Sequence, residues 1–202
     1  MNTRIQSALF MMMATLFLGT AIWAESYSID PTHSHIVFSA RHMGLSSVRG
    51  EFTEYSANFE VDEDDLTKSS IVLEIDASSI DTQNENRDNH LRSPDFLDVA
   101  NHPQIVFASK DLKDLGEGRF EAVGDLTIRG VTKQVTLDLQ VGGPIEDSGG
   151  NMRIGVEGEV TIDRQDYDVN FSKIMDNGGL LVGNDVKIDF ALEAVHKADG
   201  SG

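Results

Sequence analysis

The chain has 202 residues, with 34 Asp and Glu against 16 Lys and Arg, a net charge of −18 and no cysteine. Disulfides, thiol chemistry and cysteine-held metal clusters are thereby excluded, so packing and hydrogen bonds alone must hold the fold. So acidic a chain cannot gather the Lys and Arg that a nucleic-acid backbone needs, and anionic membrane surfaces repel it. The N-terminus reads as a targeting segment. Met1–Ser7 carries Arg4 and no acid, and Ala8–Ala24 follows as seventeen residues without a charge. Acidic, strand-like sequence begins at Glu25, the layout of a secretory signal peptide cleaved after Ala24. That cut leaves Ile22, a mediocre residue, at the third position before it, so cleavage after Ala21 is the alternative. A retained membrane anchor fits less well, because the apolar run is short for a span and no basic flank follows it. The expectation is a signal peptide over 1–24 and one mature domain over 25–202. That domain lies in the periplasm, with no stable membrane insertion after signal removal.

Past Glu25 the dominant period is two. Ile36, Phe38 and Ala40 alternate with His35, Val37 and Ser39, and Ile71, Leu73 and Ile75 with Val72, Glu74 and Asp76. Val156, Val160 and Ile162 alternate with Glu157, Glu159 and Thr161, and Val186, Ile188, Phe190 and Leu192 with Lys187, Asp189 and Glu193. Successive strand side chains point to opposite faces, so each run has one dry face and one largely wet one. In 50–62, Tyr55, Ala57, Phe59 and Val61 share a parity that Phe52 breaks, which predicts a bulge near Thr53 and Glu54. Eight strands result: 34–41, 50–62, 69–77, 104–110, 117–126, 133–142, 152–163 and 185–196. Short connections rich in Gly, Asp and Pro make their pairing antiparallel. The long excursion 78–103 predicts a helix from about Gln83 to Arg92, capped by Asp81 or Thr82 and stopped by Pro94. Periodicity says little about 164–184. Closure into a barrel removes both exposed edges, although a two-sheet sandwich gives the same local signal. A closed barrel of this size either fills itself with side chains or leaves room for one ligand.

Four blocks carry a resemblance. They are YSIDPTHSHIVFSARHMGLSSVRGEF from Tyr27, SIDTQNENRDNHLRSPDF from Ser79 with HPQIVFAS from His102, GDLTIRGVTKQVTL from Gly124, and, more weakly, VTIDRQDYDV from Val160. In this order and spacing the chain resembles the YceI-like family of secreted lipid-binding proteins. The resemblance implies an all-β fold, an extended eight-stranded antiparallel barrel that is lipocalin-like and carries a short helical excursion. It also implies a long apolar cavity for a polyisoprenoid lipid such as an isoprenoid quinone, with no enzymatic activity and no other cofactor. Inward parity then makes Phe38, Phe52, Phe59, Leu73, Ile75, Phe107, Phe120, Val156, Val160, Ile188 and Phe190 the cavity lining. His42, Arg87, Asp88, His90 and Arg92 are expected at the cavity mouth, or as a latch pinning the crossover to the barrel.

Other constellations read more plainly. His33 and His35 share a strand face and His42 follows, yet no glutamate or cysteine sits at a convincing ligand spacing, so hydrogen bonding to backbone is expected instead. Asp88 and Arg92, four apart on a helix, suggest an ion pair, and Asp88 alternatively accepts from His90 or from backbone. Asp163, Arg164 and Asp166 suggest a strand-end salt bridge rather than paired-carboxylate catalysis. No phosphate-binding glycine loop is present. Three functions stand beside one another: a carrier of a periplasmic isoprenoid lipid, a filled barrel acting through its acidic surface in envelope stress or interaction, and a lipid head-group hydrolase or isomerase near 79–96.

Overall fold

The computed structural model describes residues 24–176 and 178–197. The expected signal peptide lies outside them, apart from Ala24. Eleven strands form one antiparallel sheet that closes on itself, because β11 (Val182–His196) bonds to β10 (Met152–Asp163) on one edge and to β1 (Glu25–Ile29) and β2 (His35–His42) on the other. The remaining elements are β3 (Ser46–Phe52), β4 (Tyr55–Val61), β5 (Ser70–Asp76), β6 (Ile80–Asp81), α1 (Glu85–Arg92), β7 (Gln104–Gly116), β8 (Arg119–Ile128) and β9 (Val131–Glu146). Among the described residues no helix is long and apolar enough to cross a membrane.

The eleven strands make eight staves. β1 and β2 lie in succession along β11, with Ser28 opposite Val195 and His35 opposite Ala191. β4 and β3 flank them in turn, pairing Phe59 with Tyr27 and Gly50 with Phe38. β5 and β6 flank β4 and β3, pairing Leu73 with Ala57 and Ile80 with Phe52. Each of these pairs is one bent stave, and β7 to β11 supply the others. The first bend is fixed locally: Asp30 accepts from Thr32 N at 3.0 Å and Pro31 opens a single 3-10 turn. The neighbours must bend with it. Thr53 N bonds Ser79 O at 3.3 Å and Asp76 N bonds Glu54 O at 3.0 Å, which ties the second and third bends together.

The stretch 50–62 is therefore not one bulged strand. Thr53 and Glu54 form a corner between β3 and β4, because the stave beside them is itself broken at Asp30–Ser34. β1, the first half of β3, and β6 are strands that alternation did not disclose. β7 and β9 outrun their expected ends, since the polar run Lys110–Asp114 pairs with β8 as far as a turn whose Glu117 and Gly118 take φ of 59° and 73°. The helix starts at Glu85 rather than Gln83. Gln83 takes φ 62°, a left-handed conformation that no helix accepts, and Asn84 is the cap, accepting from Arg87 N at 3.0 Å. The register of the long strands holds: Glu74 and Glu157 are exposed, while Ile75 and Ile162 are buried.

The core is unevenly filled. At one end Tyr27, Phe59, Val61, Phe120, Ile154 and Ala194 are buried and close the barrel with packed side chains. The opposite end carries α1, the Arg129–Gly130 turn, the 164–181 connection and the turn between β2 and β3.

Candidate functional site

From mid-barrel to the α1 end the lumen is hollow, a cavity of about 220 Å³. Three inward glycines keep it so. Phe38 faces Gly50 across the β2–β3 pair and Phe190 faces Gly158 across β10–β11, while Phe107 reaches over Gly124 from β7 to β8. A Cβ would stand 2.5 Å from the Phe38 ring at Gly50, 2.5 Å from the Phe107 ring at Gly124 and 2.7 Å from the Phe190 ring at Gly158. Each ring occupies the space that a side chain would take on the neighbouring strand, so bulky residues line the lumen without filling it.

Phe38, Phe52, Leu73, Ile75, Phe107, Val156, Val160, Ile188 and Phe190 all line this cavity. Phe59 and Phe120 do not. Both are buried in the packed end, where side chains fill the barrel, and Phe120 also backs the outer groove. Among the described lining residues only Ser109, Arg164 and Tyr167 carry polar side-chain atoms, and the wall they help to form is wholly apolar. The Ser109 hydroxyl accepts from Ile71 N at 2.9 Å.

Arg164 is buried and forms no salt bridge among the described residues, contrary to the strand-end pair expected from its neighbours. Its guanidinium donates to Val169 O at 2.5 Å, Gly183 O at 3.0 Å and Asn184 Oδ1 at 3.2 Å, binding the 164–184 connection to itself. Asp163 instead caps the turn, accepting from Gln165 N at 2.9 Å. Burial pulls the Arg164 guanidinium below its usual range, while the nearby Asp163 opposes the shift.

The α1 end is roofed by Leu91, Phe96, Leu97, Tyr167 and Val169. Sequence reasoning missed Phe96, Leu97, Tyr167 and Val169, because 93–99 and 164–169 follow neither the helical nor the strand period, and Leu91 is a lone apolar residue in an otherwise polar helix. His90 sits edge-on to Phe96 and to Phe171, with centroids 5.0 Å apart in each case, and joins the two halves of the roof.

Arg87, Asp88, His90 and Arg92 lie outside the cavity wall, as does His42, which pairs with Ser46 and Val182 at the strand end. The buried Asp88 carboxylate accepts from Thr82 N at 3.0 Å and from the Thr82 hydroxyl. Arg87 Nε donates to that same hydroxyl at 2.7 Å, and its Nη2 to Thr82 O at 2.8 Å. Arg92 does not pair with Asp88. It reaches Ser78 O and Ile80 O, each at 2.6 Å, at the start of β6, while the Asp88 carboxylate is taken up by Thr82. His90 Nε2 lies 3.0 Å from Asp95 Oδ2. These contacts latch α1 to β6, and none of the four groups faces the lumen where a reacting head group would sit.

The histidines do not converge. His33 meets Asp30 at 3.1 Å, His35 faces an outer groove, and His42 closes the far end of β2. Asp30, His33 and Glu193 are close enough to hold an ion, but Arg153 already bonds Asp30 at 3.0 Å and Glu193 at 2.5 Å and supplies the positive charge there. The outer groove, about 590 Å³, is walled by the acids Asp138, Glu157, Glu159 and Asp189 together with Leu115, Phe120, Leu139 and Phe190, so it is half polar, unlike the lumen.

A UPF0312 protein of Staphylococcus epidermidis is 35% identical over 168 residues, covering 83% of this chain and 95% of that protein. The crystal structure of Burkholderia cenocepacia BcnA superposes with a TM-score of 0.72 at 22% identity, over 82% of this chain and 98% of that one. A domain from Saccharophagus degradans described as polyisoprenoid binding superposes with a TM-score of 0.65 at 18% identity, over 86% and 99%. The YceI-like domain is matched across residues 27–194, from the buried Tyr27 of the first stave to Ala194 of the last, and the chain belongs to the YceI-like family.

Proposed function

We propose that the protein binds one polyisoprenoid lipid, an isoprenoid quinone or a chain like it, and carries or stores it in the periplasm. The observation that carries this reading is the lumen itself: an apolar cavity closed at one end and held open by glycines under Phe38, Phe107 and Phe190. Family membership accords with a binding, non-catalytic protein. The Saccharophagus degradans domain, described as polyisoprenoid binding, supports the ligand class. The signal-like N-terminus and the net charge of −18 suit an exported carrier.

Each ~100 Å² of tail surface hidden in such a lumen contributes about 2.5 kcal/mol at ~25 cal/mol per Å², before ordering costs. A cavity of 220 Å³ falls just short of the ~300–1,000 Å³ of common ligand sites, so a long chain widens it or extends beyond it. Because the tail is uncharged, affinity should rise with isoprene number and change little with salt. Titration of the mature protein with a long-chain isoprenoid quinone, its short-chain analogue and a straight-chain fatty acid, at low and high salt, tests this. No saturable binding of the long chain, together with no lipid co-purifying without detergent, would refute it.

A further inference from the structure

With one end packed shut, a chain that enters the lumen does so at the α1 end. Two tips project there side by side: the turn Met43–Leu45 between β2 and β3, and the arm 173–181 that precedes β11. Main-chain bonds shape the arm, Leu181 N to Lys173 O at 2.9 Å and Met175 N to Gly179 O at 2.8 Å, and Met43 N to Leu181 O at 2.9 Å joins the two tips. Leu45 is 80% exposed, Ile174 71%, Met43 40% and Leu180 37%. Among the described residues the other exposed large apolar side chains, Val72, Leu115 and Ile145, stand apart from one another on β5, β7 and β9. Apolar groups gathered in one corner, rather than scattered singly, mark a contact surface. The cavity lies directly behind it, since Ala40 and Val182 at the bases of the two tips line the lumen.

The charge of the corner departs from that of the chain. Against a net −18, residues 31–50 contain no acid and supply Arg41 and Arg49, and residues 169–184 contain only Asp176, with Lys173 nearby. The tips themselves carry one acid against three bases, while Asp168 and Asp185 stand just outside these windows at the base of the arm. The acidity that repels the rest of the molecule from an anionic surface is therefore thinned where the apolar tips project.

Building on the lipid-carrying reading, we propose that the corner formed by Met43, Leu45, Ile174 and Leu180 is the face that docks the protein on a phospholipid bilayer, aiming the roofed, unpacked end of the lumen at the pool from which the lipid is drawn. The side chains sink to head-group depth, Arg41, Arg49 and Lys173 accept the surface charge, and the acidic remainder keeps the contact brief.

Flotation of the mature protein with vesicles of phosphatidylcholine, alone and mixed with phosphatidylglycerol, tests the proposal. The wild type is compared with L45D/I174D and with I145D, which carries the same change on an exposed β9 residue away from the corner. The wild type and I145D should float, while L45D/I174D should bind vesicles about tenfold more weakly or worse. All three should keep their melting temperature and their affinity for a quinone delivered without vesicles; if L45D/I174D melts early, L45S/I174S replaces it. A wild type that stays unbound to both vesicle types, or an L45D/I174D that floats as well as the wild type, overturns the proposal. So does a corner whose mutation splits a dimer in sedimentation while no form floats, since its occupant is then a second copy. Loss of quinone binding in every form would count against the carrier reading alone, because flotation is scored independently.

Discussion

Replacing Asp88 with Ala isolates what the latch contributes. The carboxylate is 5% exposed and is the acceptor for both the amide and the hydroxyl of Thr82, itself 5% exposed. Removing it leaves two buried donors facing a methyl group, and each orphaned donor costs about 1–3 kcal/mol. The Thr82 hydroxyl can turn, and Arg87 still holds its oxygen at 2.7 Å, so the amide carries most of the loss. Asp88 also sits in the first turn of α1, where a negative charge adds about 0.3–1 kcal/mol. The total is about 2–4 kcal/mol, which for a domain of this size lowers the melting temperature by about 4–16 °C. Far-UV circular dichroism of the mature protein at neutral pH measures it. Asp88→Asn, which keeps one acceptor oxygen, should fall between. Lipid affinity should weaken with the loosened roof, because Leu91 of the same helix lines the lumen. An unchanged melting temperature refutes the latch, and unchanged stability with abolished binding would make Asp88 a ligand contact.

Arg153 bonds Asp147 at 2.7 Å, Asp30 at 3.0 Å and Glu193 at 2.5 Å, joining the 147–151 turn, the first bend and β11. His33 and then Arg153 hold the Asp30 carboxyl well below the usual range, and Arg153 and Asn151 do the same for Asp147. A depressed carboxyl stabilises fully above its unfolded value of ~3.9 and loses that contribution as pH falls toward the folded value. Arg153→Met should therefore destabilise the protein at about pH 6, with the gap to wild type closing between about pH 4 and pH 2; a gap independent of pH in chemical denaturation would contradict this. Gly50→Ala puts a Cβ 2.5 Å from the Phe38 ring and 2.7 Å from Thr82, so the ring must swing into the lumen. Stability should fall by about 1–3 kcal/mol and long-chain quinone binding more than proportionately, whereas a variant that binds normally would show that the ring is not held back by the glycine.

Alternation alone was enough to orient β2, β5, β10 and β11, because each is flanked on both sides and its inner row is continuous. It fails where staves bend. Tyr27, buried to 0% on β1, is followed within four residues by the Asp30–Pro31 turn, so its strand is too short to show a period. Phe52 and Tyr55 differ in parity because a corner separates two strands, and one sequence cannot say whether an extra residue is a bulge or a change of partner. The latch was legible as a polar block around a capped helix, but its pairing was not. Arg92 chooses Ser78 and Ile80 carbonyls, which are distant in sequence and brought near only by the third bend. Likewise Arg164 stands between two acids in sequence and bonds to neither, since the chain turns at Asp163 and carries the guanidinium under Val169 and Gly183. Inward parity was right for Phe59 and Phe120, but parity carries no information on depth along the barrel. Whether an inward ring meets a lumen or a plug depends on which side chains and glycines face it across the barrel at its level.

Leaving the lumen empty has a cost. At ~24 cal/mol per Å³, a void of 220 Å³ forgoes about 5 kcal/mol relative to a packed core. The division of the barrel shows how that cost is tolerated. The packed end, around Tyr27, Phe59 and Val61, supplies conventional burial. At the hollow end the packed roof is also held from its rim: Asp88 to Thr82, Arg92 to Ser78 and Ile80, Arg164 to Val169 and Gly183, and Arg129 to Phe96 O at 2.5 Å. Hydrogen bonds at a rim are directional and need no side chain driven inward, whereas packing at the same place would fill the space it secures. A polar latch and inward glycines are thus two parts of one solution, in which the walls stay ordered and the interior is left for an apolar chain whose binding recovers part of the forgone burial.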